Sequence, residues 1–460
     1  MRLGKIQNIH FTGIGGIGMS GIAEVLMNLG YSVSGSDIQL TDITGNLQKM
    51  GASIFEGHQA ENVANADVLI YSSAVQADNP EIQEANRRNI PVIKRAEMLG
   101  ELMRMKYGIA IAGTHGKTTT TSLTGAVLTQ AGLDPTLIIG GMVRAMDTNA
   151  KLGGGDILVA EADEFDRSFL SMPPAVAVIT NVEAEHLDCY RDLADLQEAF
   201  ITFANKVPFY GKVIACLDNA GVQEIIKEFR RSVLTYGFNS QADLIGKNLK
   251  FDKSGTEFDV WLQAAKLGSI HLKLPGKHNA ENALASIAIG LELDVPFKEI
   301  KAALENFTGI SRRFEIKADA NDKMVVDDYA HHPTEIMTTL RGARSGWPER
   351  RIVAVFQPHL YSRTRDFYKD FAHSFFDADV LFITDVYAAR EPRIEGVSGK
   401  LIADTAAAMG HKHVNYIEDK AAVASVVFSE SLPGDMMIIL GAGDIWKVAN
   451  ELAEKVSAAA

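Results

Sequence analysis

Short apolar runs recur along almost the whole of this 460-residue chain, with stretches of helical character between them. They are Ile6–Thr12, Val68–Tyr71, Gly108–Ala112, Ile157–Ala160, Ala175–Thr180, Lys212–Cys216, Met324–Asp328, Ile352–Phe356, Val380–Thr384 and Met436–Leu440. Apolar runs of this length between helices read as parallel strands buried on both faces, which predicts an α/β fold. One segment differs. Leu244–Leu274 alternates polar and apolar residues around a Lys253-Ser254-Gly255 turn, which predicts an antiparallel insert. A chain this long exceeds one ordinary core, and about three domains are expected. The expected boundaries lie near Lys106 and Ile310, giving segments 1–106, 107–310 and 311–460.

Composition narrows the function classes. Lys and Arg total 45 against 58 Asp and Glu, a net charge of −13 without a basic block. Non-specific nucleic-acid binding needs clustered cations, so that class is set aside. Small anionic ligands must instead be held by local N–H groups and a few placed cations. The two cysteines, Cys189 and Cys216, form neither a disulfide framework nor a metal spacing, which fits a reducing cytoplasm. The N-terminus runs directly into a strand and glycine turn, and no stretch approaches the roughly 18 apolar residues of a membrane span. A cytoplasmic enzyme without membrane insertion is expected; its oligomeric state, monomer or weak dimer, stays open.

The sharpest chemical signal is Gly113-Thr114-His115-Gly116-Lys117-Thr118-Thr119-Thr120. It follows an apolar run and opens a helix. Such a turn offers backbone N–H groups and a helix N-terminus to a phosphate, a Lys to the outer phosphates and a hydroxyl to Mg²⁺. The standard loop carries a Gly five positions before its second Gly, and here that place holds Ile111. ATP is the expected ligand of Gly113 to Thr119; the competing reading is a Thr-rich helix cap.

A second glycine turn, Gly13-x-Gly15-Gly16-Ile17-Gly18, follows the first strand, and Asp37 closes the next. This matches the dinucleotide fingerprint: a pyrophosphate over a helix N-terminus and a carboxylate near a ribose hydroxyl. NAD and a UDP-sugar both carry those groups, so the turn alone does not separate them. Ser72 and Ser73 end another strand on the same edge, as ligand hydroxyls or as a polar loop.

Further along, Glu161-Ala162-Asp163-Glu164 sits at a strand's C-terminal end, where ligand crevices open in such sheets. Glu161, His186 and the Thr118 hydroxyl form an oxygen-plus-imidazole set for Mg²⁺ beside phosphates. Asn279 and Asn282 open a small-residue helix; they read as adenine contacts or as N-cap residues. The third segment places Tyr329, His331, His359 and Arg363 on loops after strands, where catalytic residues collect. These His residues lack zinc spacing, whereas an Arg fork for a carboxylate fits.

Taken together, the motifs resemble the Mur ligase family, the ATP-dependent amino-acid ligases of peptidoglycan precursor synthesis. The resemblance spans essentially the whole chain. It rests on His10–Gly21, Gly113–Thr120, Glu161–Asp166, Thr180–Asp188, His278–Asn282, Arg312-Arg313-Phe314-Glu315 and Asp327–Glu335. The family's Gly-Thr-x-Gly-Lys-Thr loop accounts for Ile111. What the resemblance implies is a Rossmann-like UDP-sugar domain, a central P-loop ATPase-like domain and a Rossmann-like amino-acid domain. It implies ATP and Mg²⁺, with UDP-N-acetylmuramate and L-alanine as substrates joined through an acyl phosphate. It further implies Lys117, His186 and Arg313 as catalytic groups, and Thr118, Glu161 and His186 at Mg²⁺. Asn279 and Asn282 then serve adenine, Arg313 and Asp327 the phosphate and ribose. Gly15 to Gly18, Asp37, Ser72 and Ser73 face the UDP-sugar, and Tyr329, His331, His359 and Arg363 the alanine.

Two positions depart from the family. Several members carry a Lys, carbamylated, about a dozen residues after the His-x-Asp motif; Leu196–Phe203 has none, so no carbamate is expected. Phe165 stands where alanine-adding members have Ser, a feature shared with a recycling ligase that attaches a tripeptide. That ligase is the alternative within the family. Outside it stand an NAD oxidoreductase, which leaves the ATP loop unused, and a UDP-sugar-binding regulator, which leaves Lys117, Glu161, His186 and Arg313 without work.

Overall fold

We describe a computed structural model of the chain, covering residues 3–72, 74–143, 148–184, 189–389 and 391–458. His186 and Ser73, both expected site residues, lie outside the described residues. Among the described residues the strands form three sheets, of five, ten and six strands, with helices between them. This is the α/β architecture that the apolar runs predict.

The first sheet runs Ser53–Glu56, Ser32–Asp37, Asn8–Thr12, Val68–Tyr71, Val92–Lys94, all parallel. Strand order reverses between Asn8–Thr12 and Val68–Tyr71. A doubly wound sheet opens its ligand crevice over the C-terminal ends at such a reversal. Gly13 and Ser72 therefore flank one crevice, and the Ser72 N–H donates to the Thr12 carbonyl at 3.2 Å.

In the second sheet Tyr107–Ala112 lies between Val176–Ile179 and Ile157–Ala162, again parallel. These strands are buried along nearly their whole length, as their unbroken apolar sequences require. At one end stand the neighbours Leu244–Asp252, Gly255–Leu262 and Ala265–Leu272. Two-residue links can join only antiparallel partners, so this is the expected insert. The opposite edge carries an antiparallel pair, Thr136–Val143 with Thr148–Lys151, that the apolar runs do not announce.

The third sheet runs Glu315–Ala320, Lys323–Asp328, Asp435–Leu440, Arg351–Phe356, Val380–Thr384, Val414–Ile417. Only Glu315–Ala320 is antiparallel to its neighbour. The chain divides into two compact units: Met1–Lys247 with Asp259–Ile270 and Glu281–Phe307, and Asn248–Phe258 with His271–Ala280 and Thr308–Ala460. Within the first unit a single apolar core joins the five-stranded sheet to the strands around Tyr107–Ala112, through Met98, Leu99, Leu102 and Met103. The second unit has a core on each face of its sheet. Among the described residues no helix is long and apolar enough to cross a membrane.

Candidate functional site

The loop after Tyr107–Ala112 turns sharply into the helix Lys117–Gln130. Its two glycines are fixed by geometry. Gly113 has φ +137° and a Cβ there would fall 2.0 Å from the Thr180 hydroxyl; Gly116 has φ +83° and a Cβ would fall 2.5 Å from Asn282 Oδ1. Any side chain is excluded twice, by backbone conformation and by contact. The loop is pinned from the next strand's end. Thr180 Oγ1 donates to the His115 carbonyl at 2.7 Å, the His115 N–H to Asn181 Oδ1 at 2.7 Å and the Thr114 N–H to the Asn181 carbonyl at 3.2 Å.

Lys117 Nζ lies over this loop, donating to the Gly113 carbonyl at 2.6 Å and the Thr114 carbonyl at 3.2 Å. It also donates to both oxygens of Glu164, at 2.8 and 3.1 Å. Glu164 is a residue that sequence reasoning placed in an acid run but gave no role. Thr118 Oγ1 donates to Glu161 Oε2 at 3.2 Å, and Glu161 Oε1 accepts from the Gly140 N–H at 2.5 Å. A hydroxyl and a carboxylate are thus side by side at the loop's exit. Hard oxygen donors of this kind suit Mg²⁺, which keeps water ligands and takes one or two carboxylates beside phosphates. Among the described residues no three His, Cys, Asp or Glu side chains cluster as a metal site.

Asn282 and Asn279 are brought to different places. Asn282, buried, accepts from Thr120 Oγ1 at 3.1 Å and borders Gly116, so it belongs to the phosphate loop's wall. Asn279 Nδ2 donates to the Pro275 carbonyl at 2.7 Å, a bond local to its own helix start.

At the N-terminal crevice, Gly13 and Ile14 N–H groups donate to the Ser36 carbonyl, at 2.8 and 3.0 Å. Asp37 does not stand clear of the turn: Oδ2 accepts the Gly15 N–H and Oδ1 the Ile38 N–H, each at 2.8 Å. Gly16 caps the helix Ile17–Asn28, whose first residue, Ile17, is exposed beside Gly18. Beneath the turn sits a fully buried carboxylate, Glu81, which sequence reasoning missed. It accepts from Thr12 Oγ1, Ser36 Oγ and Asn62 Nδ2, each at 2.7 Å, with His10 Nε2 at 3.3 Å. Burial pushes its pKa up, but His10, Asn62 and Thr12 outweigh that and bring it to about 2.

In the second unit the expected alanine residues gather beyond the C-terminal ends of Lys323–Asp328 and Arg351–Phe356; Arg363, expected on a loop, instead lies in the first turn of the helix Tyr361–Ser374, near His359. The His331 ring meets Tyr329 at 5.2 Å and His359 at 6.0 Å between centroids, and His359 stacks on Tyr387 at 5.7 Å. Burial, with the neighbouring His331 and Arg363, lowers the His359 pKa to about 4, so this ring is neutral at pH 7. His331 Nδ1 lies 3.2 Å from Glu335, and Arg313 sits over the Tyr329 ring at 5.3 Å and 3.8 Å from Glu335. Burial raises Asp327 to about 6 although Arg312 Nε is 3.5 Å away. Tyr387, Glu335 and Arg312 complete this cluster; no spacing in the sequence ties Tyr387 to His359, which only the parallel bridge between them brings together.

Comparison with known proteins bears on the whole chain. Residues 8–107 match the Mur ligase family catalytic domain, 111–290 the Mur ligase middle domain and 312–443 the Mur ligase glutamate ligase domain. The chain is similar to a UDP-N-acetylmuramate–L-alanine ligase of Geotalea uraniireducens, 52% identical over 98% of this chain and 99% of that one. A ligase of the same name from Salinibacter ruber is 52% identical over 98% and 95%. Among solved structures, UDP-N-acetylmuramate-alanine ligase from Thermotoga maritima superposes with a TM-score of 0.84 at 30% identity, covering 98% and 100%. A murein peptide ligase from Psychrobacter arcticus reaches 0.72 at 25% identity, covering 98% of each.

Proposed function

The chain belongs to the Mur ligase family, and from that premise we propose that it is an ATP-dependent ligase joining L-alanine to the lactoyl carboxylate of UDP-N-acetylmuramate. The observation that carries the reading is the glycine loop that presents Lys117 at the N-terminus of its helix. The acceptor follows from relatives of that name at 52% identity over 98% of the chain, and among solved structures from a TM-score of 0.84 at 30% identity for the alanine ligase against 0.72 at 25% for the murein peptide ligase. The tripeptide alternative is therefore not favoured, and Phe165 alone does not restore it.

The sugar's carboxylate attacks the γ-phosphorus of ATP, giving an acyl phosphate and ADP. The amine of alanine, in its neutral form, then attacks the acyl carbon and phosphate leaves. Lys117 and the loop's N–H groups hold the phosphates, and Lys117 with Arg313 offsets charge developing on the transferring group. Thr118 and Glu161, with His186, are the residues we assign to Mg²⁺, which when bound supplies charge neutralisation and Lewis acidity at the phosphates. Asn282 supports the loop and Asn279 the adenine end, while Asp327 serves the ribose. The N-terminal turn Gly15–Gly18, with Asp37, Ser72 and Ser73, takes the UDP-sugar. Arg363 takes the alanine carboxylate among Tyr329, His331 and His359. A useful general base has a pKa near working pH. With its pKa near 4, His359 is neutral at working pH and suited to accept a hydrogen bond from the alanine amine rather than to carry its proton.

We assign 1–106 to the UDP-sugar, 107–310 to ATP and 311–460 to the amino acid. Nucleotide substrates and a chain with only two cysteines suit a reducing cytoplasm. Lys117→Ala abolishes ADP release from UDP-N-acetylmuramate, alanine and ATP, while UDP-sugar binding by calorimetry persists. Ligation retained by that variant contradicts the assignment, and offering amino acids singly to the native enzyme fixes the acceptor.

A further inference from the structure

The turn after Ile157–Ala162 is strained at two successive positions. Asp166 has φ 49° and Arg167 φ 62°, the left-handed region, and neither is glycine. Such conformations persist where the surroundings over-determine them, and they collect at functional sites. Here the surroundings are explicit. Tyr190 Oη donates to the Glu164 carbonyl at 2.6 Å and the Arg167 N–H to the same oxygen at 3.0 Å. The Arg167 guanidinium lies 2.5 Å from Asp195 and over the Tyr190 ring at 4.9 Å. Ser168 Oγ holds the Asp163 carbonyl at 3.0 Å, and the Phe165 N–H reaches Asp163 Oδ1 at 3.1 Å.

All of this fixes one side chain. Glu164 is 1% exposed and its two oxygens fork onto Lys117 Nζ, itself 16% exposed. Burying a carboxylate is costly unless it is paired, so the fold invests in presenting this charge to that ammonium. An ammonium has three protons. It can therefore exchange the Gly113 and Thr114 carbonyls for phosphate oxygens while a carboxylate still holds it.

We propose that Glu164 is a positioning residue that keeps hold of the Lys117 ammonium and sets its aim at the phosphate to be transferred. The inference rests on Lys117 serving ATP. It yields a signature that a merely structural residue does not. The carboxylate offsets part of the Lys117 charge, so removing it strengthens attraction for nucleotide; it also aims the ammonium, so removing it slows transfer. In Glu164→Gln, ADP affinity measured by calorimetry rises about three- to tenfold while kcat falls tenfold or more, a loss confined to the transition state. The melting temperature is recorded alongside. Weaker ADP binding together with a lowered melting temperature identifies a structural role and overturns the proposal, as does an unchanged kcat. Should the Gln variant fold poorly, Glu164→Asp keeps the charge but ends one methylene short: kcat falls with ADP affinity within twofold, and an unchanged kcat again refutes. Native enzyme that binds no ADP sinks the nucleotide assignment itself, a separate result.

Discussion

Glu81→Gln is the substitution that most directly tests how the N-terminal crevice is held. The carboxylate ties together the ends of two strands, through Thr12 and Ser36, and receives Asn62 and His10 from either side. Its pKa falls from 4.5 to about 2 because those donors outweigh burial. The folded state thus favours the ionised form. That stability is fully present above pH 4.5 and is lost as pH falls through about 2. A depression of about 2.5 units at 1.36 kcal/mol each corresponds to ~3 kcal/mol. The amide of Gln carries no charge and turns an NH₂ group toward donors, so most of that contribution disappears. Hydrogen exchange read on the amides of Asn8–Thr12 reports it locally, as a loss of roughly a hundredfold in protection at pH 7. The variant also loses the native protein's decline in protection between pH 4.5 and 3. Protection within threefold of the native value, with the same acid dependence, refutes the reasoning. Because Ser36 also anchors the turn at Gly13 and Ile14, the KM for the sugar nucleotide rises while that for ATP stays within twofold.

Two further substitutions probe the other crevices. Gly116→Ala drives a methyl to 2.5 Å of Asn282 Oδ1 at φ +83°, so ADP affinity by calorimetry falls tenfold or more while UDP-sugar binding is kept. Asp327→Asn acts with the opposite sign from Glu81. Burial raises this carboxyl from 3.8 to about 6, so native stability falls as pH rises through that window and the deficit is constant above it. The Asn variant therefore melts higher at pH 7.5, by an amount corresponding to at most ~3 kcal/mol, and the gain vanishes below pH 4; an unchanged melting temperature at pH 7.5 counts against a buried ionised Asp327.

Legibility in the sequence follows burial. Tyr107–Ala112, Val176–Ile179 and Asp435–Leu440 are enclosed by their sheets, so composition alone marks them. Ser53–Glu56 is an edge strand with no fully buried residue, and Val414–Ile417 is only half-buried throughout; neither forms an unbroken apolar run. The antiparallel insert was readable because one solvated face imposes alternation. Phosphate-loop residues were readable because backbone approach demands glycine and the chemistry demands Lys and a hydroxyl at set spacing. Glu81 was not, because its partners Thr12, Ser36 and Asn62 are brought to it by strand order rather than by proximity along the chain.

Asn279 and Asn282 show where spacing stops carrying information. They are the same residue type, three positions apart at one helix start, and the resemblance gives both to adenine. The structure separates them: Asn279 turns its amide to the Pro275 carbonyl, whereas Asn282 faces Gly116 and Thr120. The difference comes from the helix Lys117–Gln130, against which Asn282 and, one turn further on, Ser286 make a polar seam with Thr120 and Thr124. That seam is buried and its hydroxyls are paired, so it fixes the register between two helices more strictly than apolar contacts do. The phosphate loop thereby takes its position from a helix more than 150 residues away in sequence, as the separation of 162 between Thr120 and Asn282 records. The strained turn at Asp166 and Arg167 obeys the same rule. Asp166 tolerates the left-handed region but Arg167 has no such preference, so the turn is not legible in the sequence, and Tyr190 and Asp195, converging on it, help set the direction in which Glu164 points.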